Sequence, residues 1–148
     1  MRTPIAHVID DDAAVRDSIQ LLLEGEGIEV HPYASGEAFL REAAPDDDSC
    51  LIIDVDMPGI DGLELLDQLR ATGITTPAIV ITGAGITGSV ISAIKRLDAM
   101  LLEKPFSPRG LLSSVKISLG HFWAWLVVAL DLARPIHAAG GGGGPISP

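Results

Sequence analysis

Leu51-Ile52-Ile53-Asp54 is the stretch that decides the fold. Three apolar residues in succession, with no polar residue alternating among them, are what a strand buried on both faces requires. Ile79-Val80-Ile81 followed by Thr82 repeats the pattern. Working outward, strands are expected over 4–9, 28–33, 50–53, 78–81 and 99–102. Between them come stretches with helical spacing: Val15, Ile19, Leu22 and Leu23; Ala38, Phe39 and Leu40; Leu63, Leu66 and Leu69; Val90, Ile91, Ile94 and Leu97. Ser35 reads as a helix N-cap, and Ser107-Pro108 as N-cap and first helical residue of a last helix. Five strand–helix pairs of this size form a parallel sheet covered by helices on both faces. The fold class is therefore α/β, a flavodoxin-like, doubly wound, five-stranded sheet of order 2-1-3-4-5, with right-handed connections.

The 148 residues suit one domain, and 47% of them are hydrophobic. The net charge is −10, and the ten basic residues are scattered, which argues against nucleic-acid binding by the chain itself. The single cysteine, Cys50, excludes an internal disulfide and reads as a small core residue. The start of the chain carries no signal-peptide pattern, so a cytoplasmic location is the expectation. His7, His31, His121 and His137 form no metal-type pair.

The informative polar residues fall at strand ends. Asp10 and Asp11 follow the first strand, Asp54 the third, Thr82 the fourth and Lys104 the fifth. In an open parallel sheet these ends share one edge, and ligands bind there near the switch point. Carboxylates gathered in one place repel each other and raise each other's pKa. A hard divalent cation such as Mg²⁺ relieves that repulsion and takes carboxylates, waters and phosphate as ligands. One carboxylate oxygen is then free to attack phosphorus, while a lysine and a hydroxyl hold phosphoryl oxygens. Each residue alone has an ordinary explanation: a capped turn, a strand end, a surface charge, a β-branched strand residue. It is their joint occurrence that points to a phosphoacceptor.

From residue 5 to about 119 the chain resembles a receiver domain of two-component response regulators. The matching pieces are Val8-Ile9-Asp10-Asp11-Asp12, Asp54-Val55-Asp56-Met57-Pro58 with Gly62, Val80-Ile81-Thr82-Gly83 and Glu103-Lys104-Pro105-Phe106. The last two look most like receivers of nitrogen-fixation-type regulators. The resemblance implies Asp54 as the phosphoacceptor, with Asp11 and Asp54 as direct Mg²⁺ ligands and Asp10 near the metal. It also implies the Asp56 backbone carbonyl as a ligand, Thr82 as the switch hydroxyl, Lys104 as the phosphate partner and a cis Lys104–Pro105 bond. A sensor histidine kinase or phosphotransfer protein is the implied donor. The chain would then be no enzyme in the usual sense, although it could release its own phosphoryl group.

Two features depart from that pattern. Leu101 stands where receivers usually carry an aromatic switch residue, and Leu97-Asp98 replaces a common Gly-Ala pair. An altered output movement, or a receiver that no longer switches, is therefore an expectation to weigh. The stripe Leu111, Val115, Leu119, Phe122, Leu126 and Leu130 continues at helical spacing past Gly120, as far as Arg134-Pro135. This gives a receiver over 1–119, an apolar extension of the last helix over 120–134 and a flexible Gly/Pro tail over 135–148. An unbroken 108–133 helix would run about 39 Å and could pair with a second copy; its apolar part is too short for a membrane span. A rival class is the haloacid-dehalogenase-like phosphatase, whose D-x-D nucleophile pattern Asp54-Val55-Asp56 resembles; it leaves Asp10 and Asp11 unexplained.

Overall fold

The computed structural model describes residues 3–120. Five strands and five helices alternate: β1 (Ile5–Ile9), α1 (Ala13–Glu24), β2 (Glu29–Tyr33), α2 (Gly36–Glu42), β3 (Ser49–Asp54), α3 (Gly62–Ala71), β4 (Ala78–Thr82), α4 (Gly88–Arg96), β5 (Met100–Glu103) and α5 (Pro108–Ser118). The sheet is parallel throughout, in the order β2-β1-β3-β4-β5.

The unbroken apolar runs serve two cores at once. Cys50, Ile52, Ile79 and Ile81 face α1 and α5, where Ile19, Leu23, Leu111, Val115 and Leu119 close on them. Leu51, Ile53, Ala78 and Val80 face the other way, onto Phe39, Leu65, Leu66, Leu69 and Leu97. Successive residues of a strand point to opposite faces, so two buried faces consume every position.

Each helix starts on a side chain that satisfies its orphan N–H groups. Asp12 caps α1 through Ala14 N and Val15 N, Ser35 caps α2, Thr87 caps α4, and Ser107 caps α5 ahead of Pro108. Asp61 and Glu64 form a reciprocal capping box on α3. These caps fix where the chain turns away from the sheet edge, and so fix the loops of the site.

Boundaries move by a residue or so from the sequence expectation. The fifth strand begins at Met100 rather than 99, because Ala99 N is held by Ile94 O in the turn that closes α4. In that turn Asp98 adopts φ 53, a left-handed conformation that Asp tolerates better than most residues. The last helix ends at Ser118 with Leu119 as its C-cap. The anticipated continuation to 133 and the Gly/Pro tail fall, from 121 onward, outside the described residues. Leu111, Val115 and Leu119 are buried in the chain's own core, so that part of the stripe is not free to face a second copy.

Candidate functional site

The C-terminal edge of the sheet gathers the expected residues. Asp10 directly follows β1 and is 2% exposed; Asp54 ends β3 and is 3% exposed. Asp11 is exposed beside them. Carboxylate oxygens of Asp10, Asp11 and Asp54 all lie within 4.8 Å of one another. Lys104 reaches over from the end of β5, its Nζ 3.4 Å from Asp54 Oδ1 and 3.7 Å from Asp10 Oδ2. The register Thr82↔Glu103 and the bond from Lys104 N to Thr82 O, at 2.8 Å, set the start of this reach. The Lys104–Pro105 bond is cis.

Local structure holds each acid in place. Asp10 Oδ1 accepts from Asp12 N at 2.9 Å, and the Arg16 guanidinium grips Asp10 O at 2.6 Å. Asp54 Oδ1 accepts from Asp56 N at 3.2 Å. Gly62 N donates to Val55 O, which brings the start of α3 against the end of β3. A Cβ on Gly62 would overlap Asp54 O, so only glycine allows this approach. Glu37 Oε2 accepts from Ile60 N at 3.1 Å and steadies the loop after β3 from the side of α2.

The electrostatics are those of a site short of positive charge. Burial, and then the charge of Asp10, push the Asp54 pKa up to about 6, against the opposing pull of Asp56 N–H and Lys104. Burial works against the Lys104 ammonium, yet Asp10, Asp54 and Asp56 outweigh it and raise its pKa. Asp10 Oδ2 is buried and has no hydrogen-bond partner. A buried carboxylate oxygen with no partner is costly unless something cationic completes it. Three convergent carboxylates facing a single ammonium, with no hydrogen bond to Asp10 Oδ2, fit a hard divalent ion such as Mg²⁺, which prefers oxygen ligands.

Thr82 closes β4, 1% exposed, with Oγ1 accepting from Ala84 N at 3.3 Å and donating to Gly85 O at 3.5 Å. Leu101 is half-buried on β5 beside Val80 and packs on the α2/α3-side core. Two contributors were not legible from spacing, Arg16 on Asp10 O and Glu37 on Ile60 N; the Asp56 side chain, whose charge the motif already places beside the site, has its Oδ2 accepting from Gly83 N at 3.3 Å. Arg16 lies one helical turn past the Asp12 cap, which is the sole hint the sequence offers of its reach back to the strand end.

A doubly wound α/β sheet with an acid cluster, a lysine and a strand-end threonine at its switch point can hold a cation beside a phosphoryl group. Residues 6–116 match the family model of the response regulator receiver domain, and the chain belongs to that family. It is 46% identical over 114 residues to the transcriptional regulatory protein FixJ of Azorhizobium caulinodans, covering 77% of this chain and 54% of that one. It is 36% identical to nodulation protein W of Bradyrhizobium diazoefficiens, covering 75% of this chain and 49% of that one. The chain thus spans about half the length of the curated relatives it matches. Among solved structures, the crystal structure of FIXJ-N superposes with a TM-score of 0.72 at 34% identity, covering 82% of this chain and 97% of that one. The chemotaxis protein CheY4 of Vibrio cholerae superposes with a TM-score of 0.71 at 27% identity, covering 80% of this chain and all (100%) of that one. These likenesses favour the receiver over the phosphatase reading.

Proposed function

We propose that Asp54 accepts a phosphoryl group from a histidine kinase or phosphotransfer protein, with Mg²⁺ held by Asp11, Asp54 and the Asp56 carbonyl, and Asp10 beside it. The observation that carries this reading is the buried Asp54 carboxylate, 3.4 Å from Lys104 Nζ and within 4.8 Å of Asp10 and Asp11. An Asp54 oxygen forms the bond to phosphorus while the phosphorus–nitrogen bond of the donor breaks, its electron pair staying on the imidazole. Bound Mg²⁺ supplies charge neutralisation for the carboxylates and for the transferring phosphoryl oxygens. Lys104 and the Thr82 hydroxyl hold those oxygens once the group has arrived. A groove of about 500 Å³ lined by Ala14, Val15, Ser18, Lys104, Pro105 and Phe106 opens beside the site, on the side a donor protein could approach. No helix among the described residues is long and apolar enough to cross a membrane. The chain is read as a stoichiometric acceptor rather than a catalyst of turnover, and the part of the 108–133 segment beyond Leu119 as the route to a homodimer, a reading that light scattering would test.

Leu101 modifies the output. It has no ring to rotate inward when Thr82 moves toward phosphate, so the phosphorylation-dependent change on β5 and α4 is expected to be small. Incubation with acetyl phosphate and Mg²⁺ should add one phosphoryl mass to the native chain and none to Asp54→Ala. Equal labelling of the two chains refutes the assignment. Amide NMR spectra of the same samples test Leu101, and a large shift across α4 and β5 counts against the altered switch.

A further inference from the structure

Strands β1 and β2 bring together a second group of ligating side chains, outside the acid cluster. Their parallel register sets His7 beside His31 and Ile5 beside Glu29. Residues two apart in a strand share a face, so His7, His31 and Glu29 all lie on the side where Phe39 of α2 packs. The two imidazole ring centres are 5.3 Å apart, with an interplanar angle of 89°. His7 is buried and its Nδ1 has no hydrogen-bond partner, while His31 is half-buried on the edge strand. His31 Nε2 meets the Glu29 carboxylate. Against an ionised carboxylate that nitrogen carries the proton, which leaves His31 Nδ1 with a lone pair.

This spacing matches two ligands of one metal ion. With a metal–nitrogen bond of about 2.05 Å, an imidazole ring centre stands roughly 3.2 Å from the ion, and two such rings at a tetrahedral angle are about 5.2 Å apart. The Glu29–His31 contact is the carboxylate–histidine pairing that fixes the tautomer of a ligating imidazole and raises its basicity. Burial, then His31, hold the His7 pKa down to about 4, so at pH 7 its ring is in the neutral form that metals take; Asp46 adds negative charge nearby. A cavity of about 250 Å³ lined by Thr3, Ile5, Glu29, Asp46 and Asp48 opens next to Glu29 and gives a cation an acidic approach. We propose that His7 and His31 bind a divalent transition ion of the Zn²⁺ class through Nδ1 of each ring, with Glu29 orienting His31 and water completing the shell. Imidazole nitrogen suits such an ion, whereas Mg²⁺ takes oxygen, so the two sites of the chain sort different cations. Bound there, the ion ties the edge strand β2 to β1 and gives His7 Nδ1 the partner it lacks.

Zn²⁺ titrated calorimetrically into the full chain, in buffer with excess Mg²⁺ to saturate the acid cluster, tests the site. The native chain is expected to take a single Zn²⁺. His31→Gln, at a half-buried position on the edge strand, should bind at least about tenfold more weakly, as should His7→Phe, and Glu29→Gln should lose roughly tenfold because His31 is no longer oriented. Asp54→Asn and the double variant His121→Asn, His137→Asn should bind as the native chain does. Imidazole ¹⁵N spectra should show both Nδ1 signals moving on Zn²⁺ addition, which a purely structural role for the two rings would not produce. A native chain that takes no Zn²⁺, or an affinity unchanged in His31→Gln, overturns the site. Binding lost in Asp54→Asn or in the double variant also overturns it, by assigning the ion elsewhere.

Discussion

His7 shows how a single residue can carry a cost that its sequence position hides. It sits on β1, 5% exposed, between His31, Tyr33 and Phe39, and its Nδ1 has no partner. Burial first, then the proximity of His31, hold its pKa down to about 4, while Asp46 pulls the other way. The unfolded chain takes a proton on this ring near pH 6.5 and the folded chain does not. Folding stability is therefore complete above that pH and falls as the pH drops toward 4. His7→Phe removes the penalty: going from pH 8 to pH 4 in Mg²⁺-free buffer, its stability relative to native should improve by about 3 kcal/mol. Urea titrations at the two pH values measure this, and a difference that does not change with pH refutes it. Spacing alone gave each histidine an ordinary role, because burial of His7 depends on Phe39 and Tyr33 closing over it from other elements.

At the scale of elements, the β5 edge of the sheet is held less firmly than its centre. No residue of α4 is buried, and β5 is only half-covered, while β3 and β4 are buried throughout. Arg70 at the end of α3 supplies part of what α4 lacks in apolar contact. Its guanidinium donates to Leu97 O at 2.8 Å, Ile74 O at 3.0 Å and Thr76 O at 2.8 Å. Leu97, whose carbonyl it holds, is the apolar plug that ends α4. Arg70→Ala leaves these carbonyls, and that of Asp98 at 3.5 Å, without this donor and should lower stability by about 2 kcal/mol, read as a drop in the urea midpoint at unchanged slope. Amide exchange should quicken first in α4. A midpoint equal to native would show that water replaces the guanidinium at no cost. This element was legible in the sequence as a helix, from Val90, Ile91 and Ile94, but its thin attachment was not, since half-buried and fully buried apolar residues look alike in a string of letters.

For the whole molecule, the acid cluster opposes folding until something cationic enters it. Asp54 has its pKa raised from 3.8 to about 6, so its ionised form destabilises the native state at neutral pH. The sign follows directly: without metal, stability contributed by this group is greater below its unfolded pKa and is lost as the pH rises through 6. Asp54→Asn should therefore be more stable than native by about 2 kcal/mol at pH 7 without Mg²⁺. Added Mg²⁺ should reverse the order, because a ligand at 100 times its Kd stabilises the native chain by about 2.7 kcal/mol. Thermal melts of both proteins with and without Mg²⁺ test this. A native Tm insensitive to Mg²⁺ would contradict the metal site.

By itself the sequence determined the class of fold and the membership of the site. Runs such as Leu51-Ile52-Ile53 need two covered faces, and a parallel sheet with helices on both sides is what supplies them. The polar residues that end those runs must then meet at one edge, because parallel strands all finish on the same side. The tertiary structure decided what depends on distances between elements far apart in the chain. These are the Asp10 oxygen left without a hydrogen bond, the hold of Arg16 and Glu37 on the site loops, the placement of Asp56 on Gly83 and the burial of His7. Periodicity reports which face a residue shares with its near neighbours. It carries no information about which atom of a distant element arrives within 3 or 4 Å, and hydrogen bonding and pKa are set at that range.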